Sequence, residues 1–336
     1  MPGLDPGIHH MSGRPGESPA TLHDVMGAMG FGLFEMDDRP RLQRHHLLKV
    51  ISSFPAEVQG DDTQRSFWLS VAIIKHFLGL DWANQHMSPE GYRPGFLRVI
   101  PGYSAETQMS AFKVVDFAEL LWNLETVPSF DLCLERLKCA DIESTYAELD
   151  LGRMLYCGDV DFRFVKPQQI KGADYDIEIA LPDWTVCADA KCKIETTEFS
   201  IETVQNSLVH ARKQFPKGRP SFIFVKTPAR WFNDIAVAVT LMDIARDFFR
   251  QTGRIVSIKY YMTDLVHRNG MLGHTHGFKE LSNPNNRFDP TRNWDMFAEP
   301  FETTSWNGMP PKWKRLIFFP KDGPDSDDGP AARWAD

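Results

Sequence analysis

The stretch GADYDIEIALPDWTVCADAKCK, Gly172 to Lys193, limits the fold more than any other part of the chain. Two apolar, β-branched runs flank Pro182-Asp183, the composition of two strands joined by a tight turn. Each run carries its charges on every second residue. Asp174, Asp176 and Glu178 stand on the first, and Asp189, Lys191 and Lys193 on the second. A strand turns alternate side chains to opposite faces, so this spacing gathers all six charges on one face. An even-numbered loop puts Leu181 opposite Trp184, Asp176 opposite Asp189, and Asp174 opposite Lys191. Residues paired in this way hold their Cβ atoms about 5 Å apart. An odd loop would shift the pairing by one residue and turn Asp176 away from Asp189.

The hairpin sits in an α/β pattern. A helix is expected from Asp141 to Cys157, with Ala147, Leu151, Met154 and Leu155 on one apolar face and Gly158 as its stop. VDFRFV, 160–165, alternates as a strand before the hairpin. After it, Ser200 opens a helix over SIETVQNSLVHARKQF. SFIFV, 221–225, is a continuous apolar run of the kind found in a strand covered on both faces. A further helix from Asn233 to Gln251 is expected to bury Ile235, Ala238, Val239, Met242 and Phe249, and IVSIKYYM, 255–262, reads as a last strand. The order is α-β-β-β-α-β with an α-β extension, an α/β domain with a mixed sheet over 141–265.

Residues 21–140 read as mainly helical, through HDVMGAMGFGLF, FWLSVAIIKHFLGL and FKVVDFAELLWNLE, with a Pro- and Gly-broken stretch at 87–106. No chemical motif marks this region. Residues 266–319 are expected to form an irregular extension, and the acidic, Pro- and Gly-rich tail 320–336 to be disordered. The first twenty residues are also expected to be disordered. They resemble a short translated repeat that precedes many bacterial reading frames, which would put the natural start at Met11 or Met26. No run of about eighteen apolar residues exists to cross a membrane. Five cysteines without a CxxC pair fit a reduced, cytoplasmic setting. The net charge of −8 speaks against a protein that coats nucleic acid. The distribution is uneven, however. From Gln205 to Trp231 there is no acid, while Arg212, Lys213, Lys217 and Arg219 are basic.

Two facing carboxylates repel unless a proton or cation lies between them. Mg²⁺ relieves that repulsion, accepting one or two carboxylates together with waters and phosphate oxygens. A lysine beside such a pair can orient or help deprotonate the attacking water, so the parts of a phosphodiester-cleaving site are present. The tripeptide Asp189-Ala190-Lys191 is weak alone, since about two such matches arise by chance in this composition. Its context carries the weight: an Asp opposite it, a Glu-bearing helix before it, and a helix and buried strand behind it.

That ensemble resembles the PD-(D/E)XK nuclease superfamily, the restriction-endonuclease-like fold, over residues about 141–262. The resemblance implies Mg²⁺- or Mn²⁺-dependent cleavage of nucleic acid, DNA more than RNA, by a protein that often acts as a homodimer. It implies that Glu148 (Glu143 as the alternate), Asp176 (Asp174 as the alternate), Asp189 and the Ala190 carbonyl hold the metal, with Lys191 acting on the water or phosphate. Some members carry a Gln on the second helix, for which Gln205 and Gln214 both qualify. Lys193, Arg212, Lys213, Lys217 and Arg219 would meet the nucleic acid. Tyr175 stands where the family often has Pro, and Asp189 where Glu is commoner. The alternative is an inactive nuclease-like fold that binds nucleic acid or a protein.

Overall fold

Asp61 accepts hydrogen bonds from the amides of Thr63 and Gln64, capping the first long helix of a computed structural model. The structure describes residues 41–88, 96–99, 105–139, 142–166, 168, 170–268, 271–288 and 312–319. The expected helix HDVMGAMGFGLF, both terminal segments expected to be disordered, and part of the 87–106 stretch lie outside the described residues. Helices α1 (Arg44–Ser52), α2 (Ala56–Gly60), α3 (Asp62–Leu78), α4 (Leu80–Met87), α5 (Ala105–Leu124) and α6 (Asp131–Cys139) come first. Helix α7 (Ile142–Cys157) then leads into β1 (Phe162–Phe164), β2 (Ile177–Ala180) and β3 (Thr185–Cys192). Helix α8 (Ile201–Gln214), β4 (Ser221–Lys226), α9 (Ala229–Asn233), α10 (Ile235–Phe249), β5 (Ile255–Arg268) and β6 (Met271–Ser282) follow.

The six strands form one mixed sheet in the order β1-β2-β3-β4-β5-β6. The β3–β4 and β4–β5 pairs are parallel and the other three antiparallel, so the chain is an α/β protein. All six residues of β4 are buried, as its unbroken apolar run requires of a central strand covered on both sides. One face carries Ile177, Ile179, Val186, Ala188, Phe222 and Phe224 and packs against α7 and the preceding helices. The opposite face, through Cys187, Ile223, Val225, Ile258 and Tyr260, meets Val204, Leu208 and Ala211 of α8 and Leu241, Ile244 and Ala245 of α10.

Helix α7 is more than the amphipathic helix its sequence suggests. Glu148, Asp150 and Arg153 are buried along with Leu149, Leu151 and Leu155, because the helix is walled in by the sheet on one side and by α5 and α6 on the other. Its buried charges pair across that boundary. Arg153 joins Asp116 of α5 to Asp150, and Lys226 of β4 comes within 3.5 Å of Asp150. The same apolar core includes Leu42, Phe117, Leu151, Phe222 and Phe319, so it runs through the helical region and the sheet without a break.

Two expectations are corrected here. Helix α10 turns inward a face that only partly coincides with the one expected. Phe249 is buried and Ala238 and Met242 are half-buried, but Ile235 is 80% exposed and Val239 54%, and Leu241, Ile244, Ala245 and Phe248 are buried in their place. The helix is apolar almost all round in its first half, so its spacing does not choose a face, and packing on α8 does. The 266–319 stretch is not irregular throughout. Strand β5 continues to Arg268, and β6 pairs with it from Met271 to Ser282. The sequence MLGHTHGFKELS hides that strand because glycines and polar residues break any alternation. Farther on, Trp313, Leu316 and Phe319 dock in the core of the helical region.

Candidate functional site

The turn at Pro182-Asp183 has two residues. Leu181 donates to the Trp184 carbonyl at 2.8 Å, and Trp184 returns a hydrogen bond at 3.3 Å. That even loop sets the pairing Ala180–Thr185, Ile179–Val186, Glu178–Cys187 and Ile177–Ala188, the register expected from the sequence. The next pair would be Asp176 with Asp189, and there the strands part. Strand β2 begins at Ile177, while β3 runs on to Cys192 beside β4 alone. The Asp176 amide reaches back to the Ala188 carbonyl at 3.1 Å, and its Oδ2 accepts the Ala190 amide at 2.7 Å. A strand residue projects its amide and carbonyl to the same edge, so the Ala190 carbonyl also lies at this fork.

The divergence corrects the position expected for Asp174. It is not opposite Lys191, whose partner is Val225 on β4. Asp174 lies ahead of β2, where its carboxylate accepts the Gln168 amide and its own amide donates to the Gln214 carbonyl. Asp176 therefore takes the place at the fork. Glu148 of α7, rather than Glu143, faces it across the gap. Asp176 and Asp189 both raise the proton affinity of Glu148, and Asp176 does the same to Asp189, so the three carboxylates lie within one another's fields.

Burial pushes the Asp189 carboxyl well above the usual carboxylate range, and Asp176 pushes it further. The side chain is fully buried. Lys191 Nζ stands 2.7 Å from its Oδ2 yet out of alignment, leaving both oxygens without a hydrogen bond. Glu148 is likewise raised, first by burial and then by Asp176, with Arg136 pulling the other way. Burial works against the Lys191 ammonium, but Asp189, Asp176 and Glu148 outweigh it and hold its pKa above the ordinary value. Gln214 Oε1 accepts from Lys191 Nζ at 2.6 Å, and its Nε2 donates to the Asp174 carbonyl at 2.9 Å. Of the two glutamines open in the sequence, Gln214 is the one at the site, and Gln205 is exposed on α8.

Arg136 has no counterpart in the sequence reading. It projects from α6, hydrogen-bonds Glu148, and reaches the Val165 carbonyl and Cys133 Sγ at 3.4 Å each. Three carboxylates therefore share two cations, Lys191 from β3 and Arg136 from the helical region. Nothing in LERLKC singles out this arginine; only the packing of α6 on α7 brings it in.

The donor set suits a hard divalent cation. It offers carboxylate and carbonyl oxygens, and the Asp189 oxygens are buried and lack hydrogen bonds. Among the described residues, however, no group of three or more His, Cys, Asp or Glu is arranged to hold a metal ion. Each carboxylate is turned to a different partner: Asp176 to the Ala190 amide, Glu148 to Arg136, and Asp189 to Lys191.

The basic candidates divide. Lys213 and Lys217 are exposed, and Lys193 is half-buried. Arg212 turns away from the fork, with its guanidinium over the Phe248 ring and Nη1 on the Gln251 carbonyl. Arg219 lies against Glu178. Fold and site together define an α/β protein with a carboxylate–lysine cluster at a forked hairpin. Comparison of the chain with protein-family models, curated proteins and solved structures finds no match. Among the described residues no helix is long and apolar enough to cross a membrane.

Proposed function

We propose that the chain is a metal-dependent phosphodiester hydrolase, a nuclease acting on DNA in preference to RNA, with 141–262 as a PD-(D/E)XK core. The observation that carries this reading is the convergence of Glu148, Asp176 and Asp189 with Lys191 where β2 parts from β3. Mg²⁺ or Mn²⁺ would be held by Asp176, Asp189, the Ala190 carbonyl and Glu148, and would supply charge to the phosphate and acidity to a bound water. The protein's own residues do the rest. Lys191, kept protonated by three carboxylates and aimed by Gln214, donates to a phosphate oxygen or positions the water; as it stands it is not a base. Asp176 fixes the Ala190 peptide and so the direction of its carbonyl. The reading places the protein in the bacterial cytoplasm, as a single chain or a homodimer.

The inactive, nucleic-acid-binding alternative draws on one observation. Arg136 and Lys191 already neutralise most of the cluster's charge, as they would in a site that never takes a metal. One experiment separates the two: single- and double-stranded DNA and RNA are incubated with Mg²⁺ or Mn²⁺, wild type beside Asp189→Ala. Metal-dependent products from wild type that vanish in the variant support the hydrolase. Identical behaviour of the two proteins refutes it.

A further inference from the structure

We propose that Arg163 and Arg219, held by one buried glutamate, form a second anion site that takes the neighbouring phosphate of the strand lying at the carboxylate fork. The inference rests on the nucleic-acid reading given above and assigns part of the path of the strand.

Glu178 is 6% exposed on β2. Its Oε1 accepts from Arg163 Nη2 at 2.6 Å, and its Oε2 accepts from Arg219 Nη1 at 2.7 Å and from the Tyr175 hydroxyl at 2.8 Å. Arg163 is the cross-strand partner of Glu178 on β1, and Arg219 comes from the segment entering β4. Both arginine side chains remain close to half exposed, at 46% and 44%. One buried carboxylate thus holds two guanidiniums at the surface. Each guanidinium has five N–H donors in a planar fork suited to phosphate oxygens. Arg219 turns its Nη1 to Glu178 and the Tyr175 hydroxyl.

The position relative to the fork gives the pair its meaning. Glu178 stands two residues beyond Asp176 on the hairpin, and its partner Cys187 stands two residues before Asp189 on β3. Glu178 and its cross-strand partner Arg163 stand on the carboxylate face one strand repeat, about 6.6 Å, from the Asp176 position. That spacing is like that of adjacent phosphates on an extended strand, and Arg219 reaches Glu178 from the segment before β4. Further positive charge surrounds this place. Lys166 and Lys171 are exposed on the segment leading into β2, and Lys213 and Lys217 at the end of α8 and just beyond it. The Asp174 amide on the Gln214 carbonyl ties those two segments together. Acids on the adjoining segments include Asp174, which accepts the Gln168 amide, Asp161 just ahead of β1, and Asp183 in the hairpin turn.

The test is the affinity of a fluorescein-labelled DNA oligonucleotide, measured by anisotropy in EDTA over a range of salt. The proteins are wild type, Arg163→Gln/Arg219→Gln, and Arg163→Gln/Glu178→Gln/Arg219→Gln. The triple variant leaves no buried charge unpaired, so it remains informative if the double variant does not fold. Losing that phosphate contact lowers the slope of log Kd against log salt by about 0.7–0.9. That outcome in whichever variant keeps the wild-type circular dichroism supports the site. An unchanged slope in a folded variant overturns it, even if the wild type cleaves DNA with Mg²⁺. Wild type that binds but does not cleave, with the slope lowered in the variant, keeps the anion site and removes the hydrolase. Wild type that binds no oligonucleotide overturns both.

Discussion

Arg136→Gln is expected to destabilise the metal-free protein and to make it respond more strongly to divalent cations. Glu148 is 7% exposed, and Arg136 is its direct ion-pair partner. Removing one member of a buried pair costs about 3–5 kcal/mol, because the other charge stays in a poor solvent. Glu148 also faces Asp176 and Asp189, which deepens the loss. Glu148 can escape by taking a proton, which its raised pKa favours, so a net cost of about 2–3 kcal/mol is expected near neutral pH. Folded acids whose pKa is raised bind more protons than the unfolded chain, so the penalty shrinks on acidification and grows toward higher pH. Urea titrations at two pH values, with and without Mg²⁺, measure this directly. If the cluster takes a cation, the variant regains more stability than wild type on adding Mg²⁺, about 2.7 kcal/mol at a concentration of a hundred Kd. A variant as stable as wild type in EDTA, with the same response to Mg²⁺, would refute the reasoning.

Two smaller outcomes follow from other parts of the fold. Asp234→Ala removes the side chain that caps α10 through the amides of Ala236 and Val237, and should cost about 1 kcal/mol in urea denaturation. Burial holds the Cys157 thiol up at about 12 and the Cys187 thiol at about 11, and pushes the Cys133 thiol well above its usual value. Thiolate is the reactive form, so iodoacetamide at pH 8 should modify the exposed Cys139 and spare those three, as peptide mass mapping will show.

The forked hairpin was legible because period-two charges and a Pro-Asp turn both constrain register, and the two agree. Its limit was not. Alternation continues through Asp174 in the sequence, yet pairing stops at Ile177, since nothing in the chain marks where β2 leaves β3. Asp189, Lys191 and Asp176 could be named from one local segment. Glu148 needed the expectation of a preceding helix. Arg136 and Arg163 could not be named at all, because each acts through a partner brought close by tertiary packing. The inward face of α10 escaped for a related reason. A run such as IAVAV is apolar in every direction, and only its neighbours decide which side is covered.

Helix α7 has a consequence for where such a chain can be divided. Glu148 sits on a helix buried by the sheet on one side and by α5 and α6 on the other, with Arg153 and Asp116 bonded across the seam. A segment cut at residue 141 would lose the neighbours that keep this helix dry. The hairpin and its carboxylates therefore depend for their folding on the helices in front of them.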